Sequence, residues 1–344
     1  MNTSNTDDRR CGILCAGNWI IDHVKLISSW PQEETLADIV GEETGTGGSP
    51  YNVLVDLARF GFDIPLFGLG LVGDDADGRR ILDDCDRWGI DRQFLSIAPG
   101  ASTAYTDVMS VVDTGRRTFF HNRGANALLA PGDFPVDKLP CRLANLGYLL
   151  LLDSLDAPDD EFGTCAARVL ASLRSVGIAT SIDVVTEDSD RFSRVVTPSL
   201  PHADYCIINE IEAGRTVGRE LRPDGQLDKD ALADAARDLL DLGVHCLVVI
   251  HAPEGAFGLP RGGTGLWQPS FVVPADEIKG AVGAGDAFMA GMLVGVHEGW
   301  DLERSLRFAN AAAVTCLSHP TTTGGVGSAA EIEAVAGRYS TRER

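Results

Sequence analysis

The sequence predicts an α/β fold with buried parallel strands, and three patterns carry that prediction. From residue 143 onward, short apolar runs at 146–152, 179–182, 205–208 and 246–250 alternate with helical stretches such as 161–175 and 229–242. Continuous apolar runs this short suit strands covered on both faces. Two glycine-rich turns lead into helical patterns, one before residues 49–60 and one before residues 287–296. Two β-rich insertions, 24–46 and 103–121, break the rhythm and predict a small sheet of their own.

The elements follow in chain order. Residues 11–17 form an apolar run ending in glycine, a buried strand by pattern. Asp22 then sits where a central strand would end, the edge at which α/β sheets meet ligands; a solvated loop aspartate is the equal alternative. In Gly45-Thr46-Gly47-Gly48-Ser49-Pro50-Tyr51-Asn52, Ser49 and Pro50 start a helix, Asn52 lies in its first turn and Gly61 closes it. Residues 65–72 read as a strand. They overlap Gly68-x-Gly70-x-x-Gly73, a dinucleotide pattern, but Asp74, Asp75 and Asp77 would repel a pyrophosphate there. Asp113-Thr114-Gly115 turns the hairpin of the second insertion, and residues 122–126 lead out of it. Asp183 and the run Asn209-Glu210-Ile211-Glu212 fall just after strands, again on the ligand-binding edge. A Gly/Pro-rich stretch, 256–276, leads to the second glycine turn, and residues 302–317 form the last strong helical pattern.

Composition narrows the partners. The 344 residues allow about two domains, and 44% hydrophobic with 23% charged residues is a globular composition. A net charge of -21 argues against nucleic acid and anionic membranes as partners. The eight cysteines are scattered without a Cys-x-x-Cys pair and read as buried thiols in a reducing compartment. No run is long enough to span a membrane, and the polar stretch 1–10 lacks the apolar segment of a signal peptide, so a cytoplasmic location is expected. Residues 1–10 and 331–344 are expected to be tails.

The chemistry concentrates at Lys279-Gly280-Ala281-Val282-Gly283-Ala284-Gly285-Asp286. Gly283, Ala284 and Gly285 form the first turn of a buried helix. The unpaired N–H groups and positive dipole of such a turn bind anions. Asp286 would compete with that anion unless it has chemistry of its own. The economical reading is a base that takes the proton of a hydroxyl attacking a phosphoryl group held by those amides. An ordinary first-turn aspartate is the plain alternative. Arg123 could meet a phosphate or simply pack beside the small sheet.

With these motifs in this order, the chain resembles the ribokinase-like (PfkB) carbohydrate kinases. The resemblance covers roughly residues 11–330. It rests on Asp22, Gly47-Gly48 with Asn52, Gly70…Gly73-Asp74-Asp75…Gly78, Gly124-Ala125-Asn126-Ala127, Asn209-x-x-Glu212, Gly283-Ala284-Gly285-Asp286 and Asn310-Ala311-Ala312-Ala313. It implies a doubly wound, mostly parallel α/β core (11–23, 47–100 and 124–330) with a small β lid (24–46 and 101–123) that closes over a sugar and often helps form a homodimer. It implies transfer of the ATP γ-phosphate to a hydroxymethyl group, with Asp286 as base and the amides of Gly283, Ala284 and Gly285 as anion hole. Asp22, Gly47, Gly48, Asn52 and Arg123 would contact the acceptor. Asn209, His251, Gly255 and Asn310 would border the nucleotide, and Glu212 with Asn209 would organise Mg2+, mainly through water.

The sequence departs from the family at three places. Gly280-Ala281 replaces Asp-Thr before the catalytic turn, Ala252-Pro253-Glu254-Gly255 replaces Gly-x-x-Gly, and Ile20 stands where ribokinase has asparagine. The first implies little dependence on potassium, and the last bears on ribose preference. Trp19, Tyr51, Tyr105 and Phe120 could stack on a base, so a nucleoside kinase is the alternative substrate reading. A non-catalytic sugar-binding protein of the same fold is the alternative of another class.

Overall fold

The structure, a computed structural model, describes residues 10–342. Residues 1–9 of the expected N-terminal tail, and 343–344, lie outside the described residues.

The chain opens with β1 (Ile13–Gly17), β2 (Ile20–Ile27), β3 (Ile39–Gly47), α1 (Ser49–Phe60), β4 (Leu66–Gly73), α2 (Ala76–Arg87) and β5 (Asp91–Ala98). The hairpin β6 (Ala104–Val111) and β7 (Arg117–Asn122) follows, then β8 (Leu143–Leu149) and the one-turn helix α3 (Asp153–Asp156). A two-residue pair, β9 (Pro158–Asp159) and β10 (Gly163–Thr164), precedes α4 (Cys165–Ser175), β11 (Ala179–Val184) and the short α5 (Phe192–Val195). The rest is β12 (Tyr205–Asn209), α6 (Glu210–Val217), α7 (Lys229–Asp241), β13 (Leu247–Ala252), β14 (Gly255–Pro260), β15 (Leu266–Pro269), α8 (Ala284–Glu298), α9 (Leu302–Cys316) and α10 (Ala329–Arg338).

Nine strands form the main sheet in the order β15-β14-β13-β12-β11-β8-β1-β4-β5. The seven from β13 to β5 run parallel, and β14 and β15 turn back antiparallel at one edge. Burial on both faces follows from the apolar runs. In β1, Leu14 and Ala16 enter the core under α4, α6 and α7, whereas Ile13 and Cys15 enter the core under α1, α8 and α9. Beside β1 the sheet order reverses, with β4 on one side and β8 on the other. The crevice beyond the carboxyl ends of the strands is where a doubly wound sheet binds ligands.

The two insertions pair as one four-stranded sheet, β3-β2-β6-β7. Asp22 belongs to it as the third residue of β2, not to the end of a central strand; β1 ends five residues earlier at Gly17. The dinucleotide-like glycines prove to be packing devices. Gly68 and Gly70 lie inside β4 beneath Trp19, where a Cβ would come within 2.8 and 2.4 Å of the indole. The Trp19 Nε1 donates to the Leu69 carbonyl at 2.9 Å, and the ring is fully buried. Asp75 caps α2 and binds the Thr103 hydroxyl and N–H, so it too is structural.

Three boundaries differ from the sequence reading. The strand expected at 146–152 is β8, shifted toward Leu143, and the helix expected from residue 161 starts at Cys165. The expected tail 331–344 is largely helical: α10 buries Ile332 and Val335 against the core, started by the capping box of Ser328 and Glu331. All eight cysteines are unpaired. Among the described residues, no helix is long and apolar enough to cross a membrane.

Candidate active site

A cavity of about 950 Å³ lies between the carboxyl edge of the main sheet and the inner face of the small sheet. Its floor is the first turn of α8. Gly283 caps that helix at φ 87°, and the Thr322 carbonyl stands 2.0 Å from where a Cβ would be, so only glycine fits. The helical ladder begins with the Ala287 N–H on the Gly283 carbonyl at 2.9 Å, and the Ala284 N–H makes a long contact of 3.4 Å to the Ala281 carbonyl, so the N–H groups of Gly285 and Asp286 are left without a partner inside the helix.

Asp286 stands in this turn and is held from two directions. Asn52 Nδ2 donates to one carboxylate oxygen at 2.9 Å, and the Tyr148 hydroxyl donates to the other at 2.5 Å. Burial pushes the Asp286 carboxyl up to about 6, while Tyr148 and Asn52 hold it down. Its charge also raises its neighbours. Asp183, at the end of β11, is pushed well above the usual range by burial and by the charges of Asp286 and Glu212, although the Ser49 hydroxyl donates to it at 2.7 Å.

Asn209 ends β12 and starts α6, and it forms a capping box with Glu212. Asn209 Oδ1 accepts from the N–H groups of Ile211 and Glu212, both at 2.9 Å, and Glu212 Oε2 accepts from the Asn209 N–H at 2.9 Å. Glu212 Oε1 accepts from the Thr186 hydroxyl at 2.6 Å and from Asn209 Nδ2 at 2.7 Å. Burial nevertheless lifts the Glu212 carboxyl to about 7. His251, at the end of β13, packs on Phe288 and is kept neutral by burial, which lowers it to about 4.

The opposite wall is a ladder of side chains two residues apart along the strands, as pleating requires. Asp22 pairs across the small sheet with Thr106, which pairs with His121 and binds its Nδ1 at 3.0 Å. The next rung is Val24, Val108 and Phe119, and beyond it Leu26, Ser110 and Arg117. Burial and the Asp286 charge lift Asp22 to about 6, against a hydrogen bond from Thr106.

Most of the expected site residues therefore meet in one place. Asp22, Gly48 and Asn52 line the cavity from β2 and the start of α1, Asn209, Glu212 and His251 from the main sheet, and Gly283, Gly285 and Asp286 from the floor. Gly47 packs directly behind Asp22, and Ala284 lies within the α8 turn. Neither of these two lines the cavity, and three others have partners away from it. Arg123 donates to the Leu150 carbonyl at 2.8 Å and pairs with Asp153 at 2.9 Å, which fixes it at the root of the small sheet. Asn310 is buried and ties α9 to the Gln268 carbonyl at 3.1 Å. Gly255 opens β14 against Gln268 and Trp267.

Sequence reasoning missed Tyr148, which read as one more residue of an apolar run, and His121. Asp183 had a signal, its place at a strand end. Of the four aromatics considered for base stacking, Tyr51 alone lines the cavity. Trp19 is sealed under β4, Tyr105 packs on His23, and Phe120 stacks on Trp30.

The family model described as pfkB family carbohydrate kinase matches residues 12–327. An ATP-dependent ribose-1-phosphate kinase of Halopiger xanaduensis is 28% identical over 330 residues, covering 96% of this chain and 98% of that protein. A ribokinase of Arabidopsis thaliana is 27% identical over 294 residues, covering 85% of this chain and 72% of the relative. The solved structure of Arabidopsis thaliana ribokinase complexed with ribose and ATP matches with a TM-score of 0.77 at 21% identity, over 95% of this chain and 98% of that one. Giardia lamblia ribokinase gives the same TM-score at 18% identity, over 94% and 99%.

Proposed function

The chain belongs to the pfkB family of carbohydrate kinases, and from that premise we propose that it transfers the γ-phosphate of ATP to a hydroxymethyl group of a small sugar or sugar derivative. One observation carries the reading: a buried carboxylate, Asp286, stands in an anion-binding helix turn at the floor of a cavity whose far wall presents Asp22. Asp22, Gly48 and Asn52 orient the acceptor hydroxyls. Asp286 is ionised above about pH 6 and takes the proton of the attacking hydroxyl as that oxygen bonds to the γ-phosphorus and the bond to the bridging oxygen breaks. The first-turn amides of Gly283, Ala284 and Gly285 stabilise the charge on the transferring oxygens.

The residues fit magnesium carried with the nucleotide. Glu212 and Asp183 are buried carboxylates on one cavity, both raised by burial, and a divalent cation would offset that cost. Glu212 already accepts three hydrogen bonds, but a carboxylate has about four lone-pair sites, so an outer contact through water remains open to it and to Asn209. When bound, magnesium supplies neutralisation of phosphate charge.

The small sheet acts as a lid over the acceptor. Its outer side carries the Trp30–Phe120 stack, with both rings about half exposed, and this face supports pairing with a second copy of the chain. ATP consumption measured over a panel of sugars, sugar phosphates and nucleosides tests the function. Turnover of a sugar or sugar derivative is expected. A nucleoside used faster than every sugar, or no acceptor at all, overturns the reading.

A further inference from the structure

We propose that Tyr148 is a positioning residue for the general base: by donating its phenolic proton to Asp286 it fixes the carboxylate and sets the pH at which the base becomes available. The assignment rests on Asp286 being the base of the kinase reaction. The contact is 2.5 Å, in the range of a charge-assisted O–H···O⁻ bond, and Asp286 is the partner of the phenol. The main chain that carries the ring is held in place, because the Tyr148 backbone N–H donates to Asn18 Oδ1 at 2.8 Å, and Asn18 directly follows β1. Tyr148 from β8 and Asn52 from α1 each take one oxygen of Asp286. Each oxygen keeps a second lone pair, so the acceptor hydroxyl still has a place to deliver its proton.

The surroundings explain why such a donor is needed. The carboxylates facing Asp286 are Asp22 from β2, Asp56 from α1 and Asp183 from β11, and the thiols are Cys15 from β1 and Cys316 from α9. His251 stands beside Gly285 and is neutral. All of these are acids or uncharged, and burial already favours the protonated carboxyl. Asn52 and Tyr148 are the counterweight. Burial and the neighbouring acids raise the phenol well above its ordinary range, so it remains a donor throughout.

The test is the pH dependence of kcat/KM for Tyr148→Phe and for the chain carrying 3-fluorotyrosine at position 148 alone. Removing a donor to the charged form raises the Asp286 pKa, so the acid limb of Tyr148→Phe moves up by roughly one to two pH units, with most activity recovered at alkaline pH. Fluorotyrosine is the stronger donor and moves the limb the other way. A loss that is uniform across pH, or a limb unmoved in both proteins, overturns the proposal. The same shifts are read without turnover by ¹³C NMR titration of the Asp286 carboxyl in the full chain, identified by its absence in Asp286→Asn. If no acceptor is turned over, the kinase reading fails and this titration still decides the Tyr148 contact. If Tyr148→Phe does not fold, the fluorotyrosine protein carries the test by itself.

Discussion

The two sheets of this molecule are built to different specifications. The main sheet is covered on both faces, and its β1 is wholly buried. The small sheet is buried at its root and open elsewhere: most of β3 and β7 is exposed, and the buried end of β3 is Thr46 and Gly47 beside the core. Asp286, its two hydrogen-bond donors and the Asn209–Glu212 box all stand on the first architecture. Asp22 and the ladder behind it stand on the second. A close-packed interior holds reacting groups to a fraction of an ångström, while an open sheet can move to admit and grip an acceptor. On the proposed function, the difference would put the chemistry on one sheet and the choice of acceptor on the other.

The largest effect should come from the floor. Asp286→Asn keeps the shape and the Asn52 contact but cannot take a proton, and a loss in kcat on the order of 10²–10⁴-fold is expected with ATP binding retained. Single-turnover rates and nucleotide titration of the folded variant check it, and a loss below tenfold would remove Asp286 as the base. Next comes Asp22→Asn on the other sheet. It should lower kcat/KM on the order of 10–100-fold, mainly through KM, because a charged acceptor contact is lost while the base stays in place. If kcat falls as far as in Asp286→Asn, the division between the sheets breaks down.

Hydrogen exchange reads the contrast directly. Amides of β2, β3, β6 and β7 should exchange faster than those of β1, β8 and β11 and should gain protection when the cognate acceptor binds. No added protection in the small sheet would count against closure. A milder effect is expected for Glu212→Gln, which should raise the magnesium concentration for half-maximal rate severalfold. An unchanged titration would leave Glu212 as a capping residue of α6 only. Smallest of all should be the response to potassium. Gly280 has no side-chain oxygen and packs against His319 and Pro320, so rates in sodium, potassium and a bulky organic cation at one ionic strength should agree closely. Specific stimulation by potassium would mean that backbone carbonyls alone build a cation site.

What the sequence revealed followed local rules. The Gly283–Asp286 turn, the Asn209–Glu212 box and the hairpin around Asp113–Gly115 were legible because each is decided by residues within a few positions of one another. Tyr148 was not, because its hydroxyl meets a carboxylate 138 residues away and nothing in the run around it marks a polar contact. Arg123 and Asn310 were read as ligand contacts because they sit in motifs; the structure gives them tertiary partners, Asp153 and the Gln268 carbonyl, outside the cavity lining. Asp22 was read at the end of a central strand and lines the cavity from the small sheet instead, since a two-residue gap between strands gives no warning that the chain changes direction.

The Trp19 backbone has a consequence for leverage. Asn126 Oδ1 accepts from the Trp19 N–H at 3.2 Å, and Asn126 Nδ2 donates to the Trp19 carbonyl at 3.0 Å. The chain entering the small sheet and the chain leaving it are thus riveted at one point beside a sealed indole. Beyond that rivet β2 runs eight residues, about 26 Å of strand. A rotation of about 10° at residues 17–19 would sweep the far end through about 4–5 Å over that arm. If the small sheet closes as a lid, changes too small to disturb the main sheet would be enough to open and shut the mouth of the cavity, and the arm's length would set the gain.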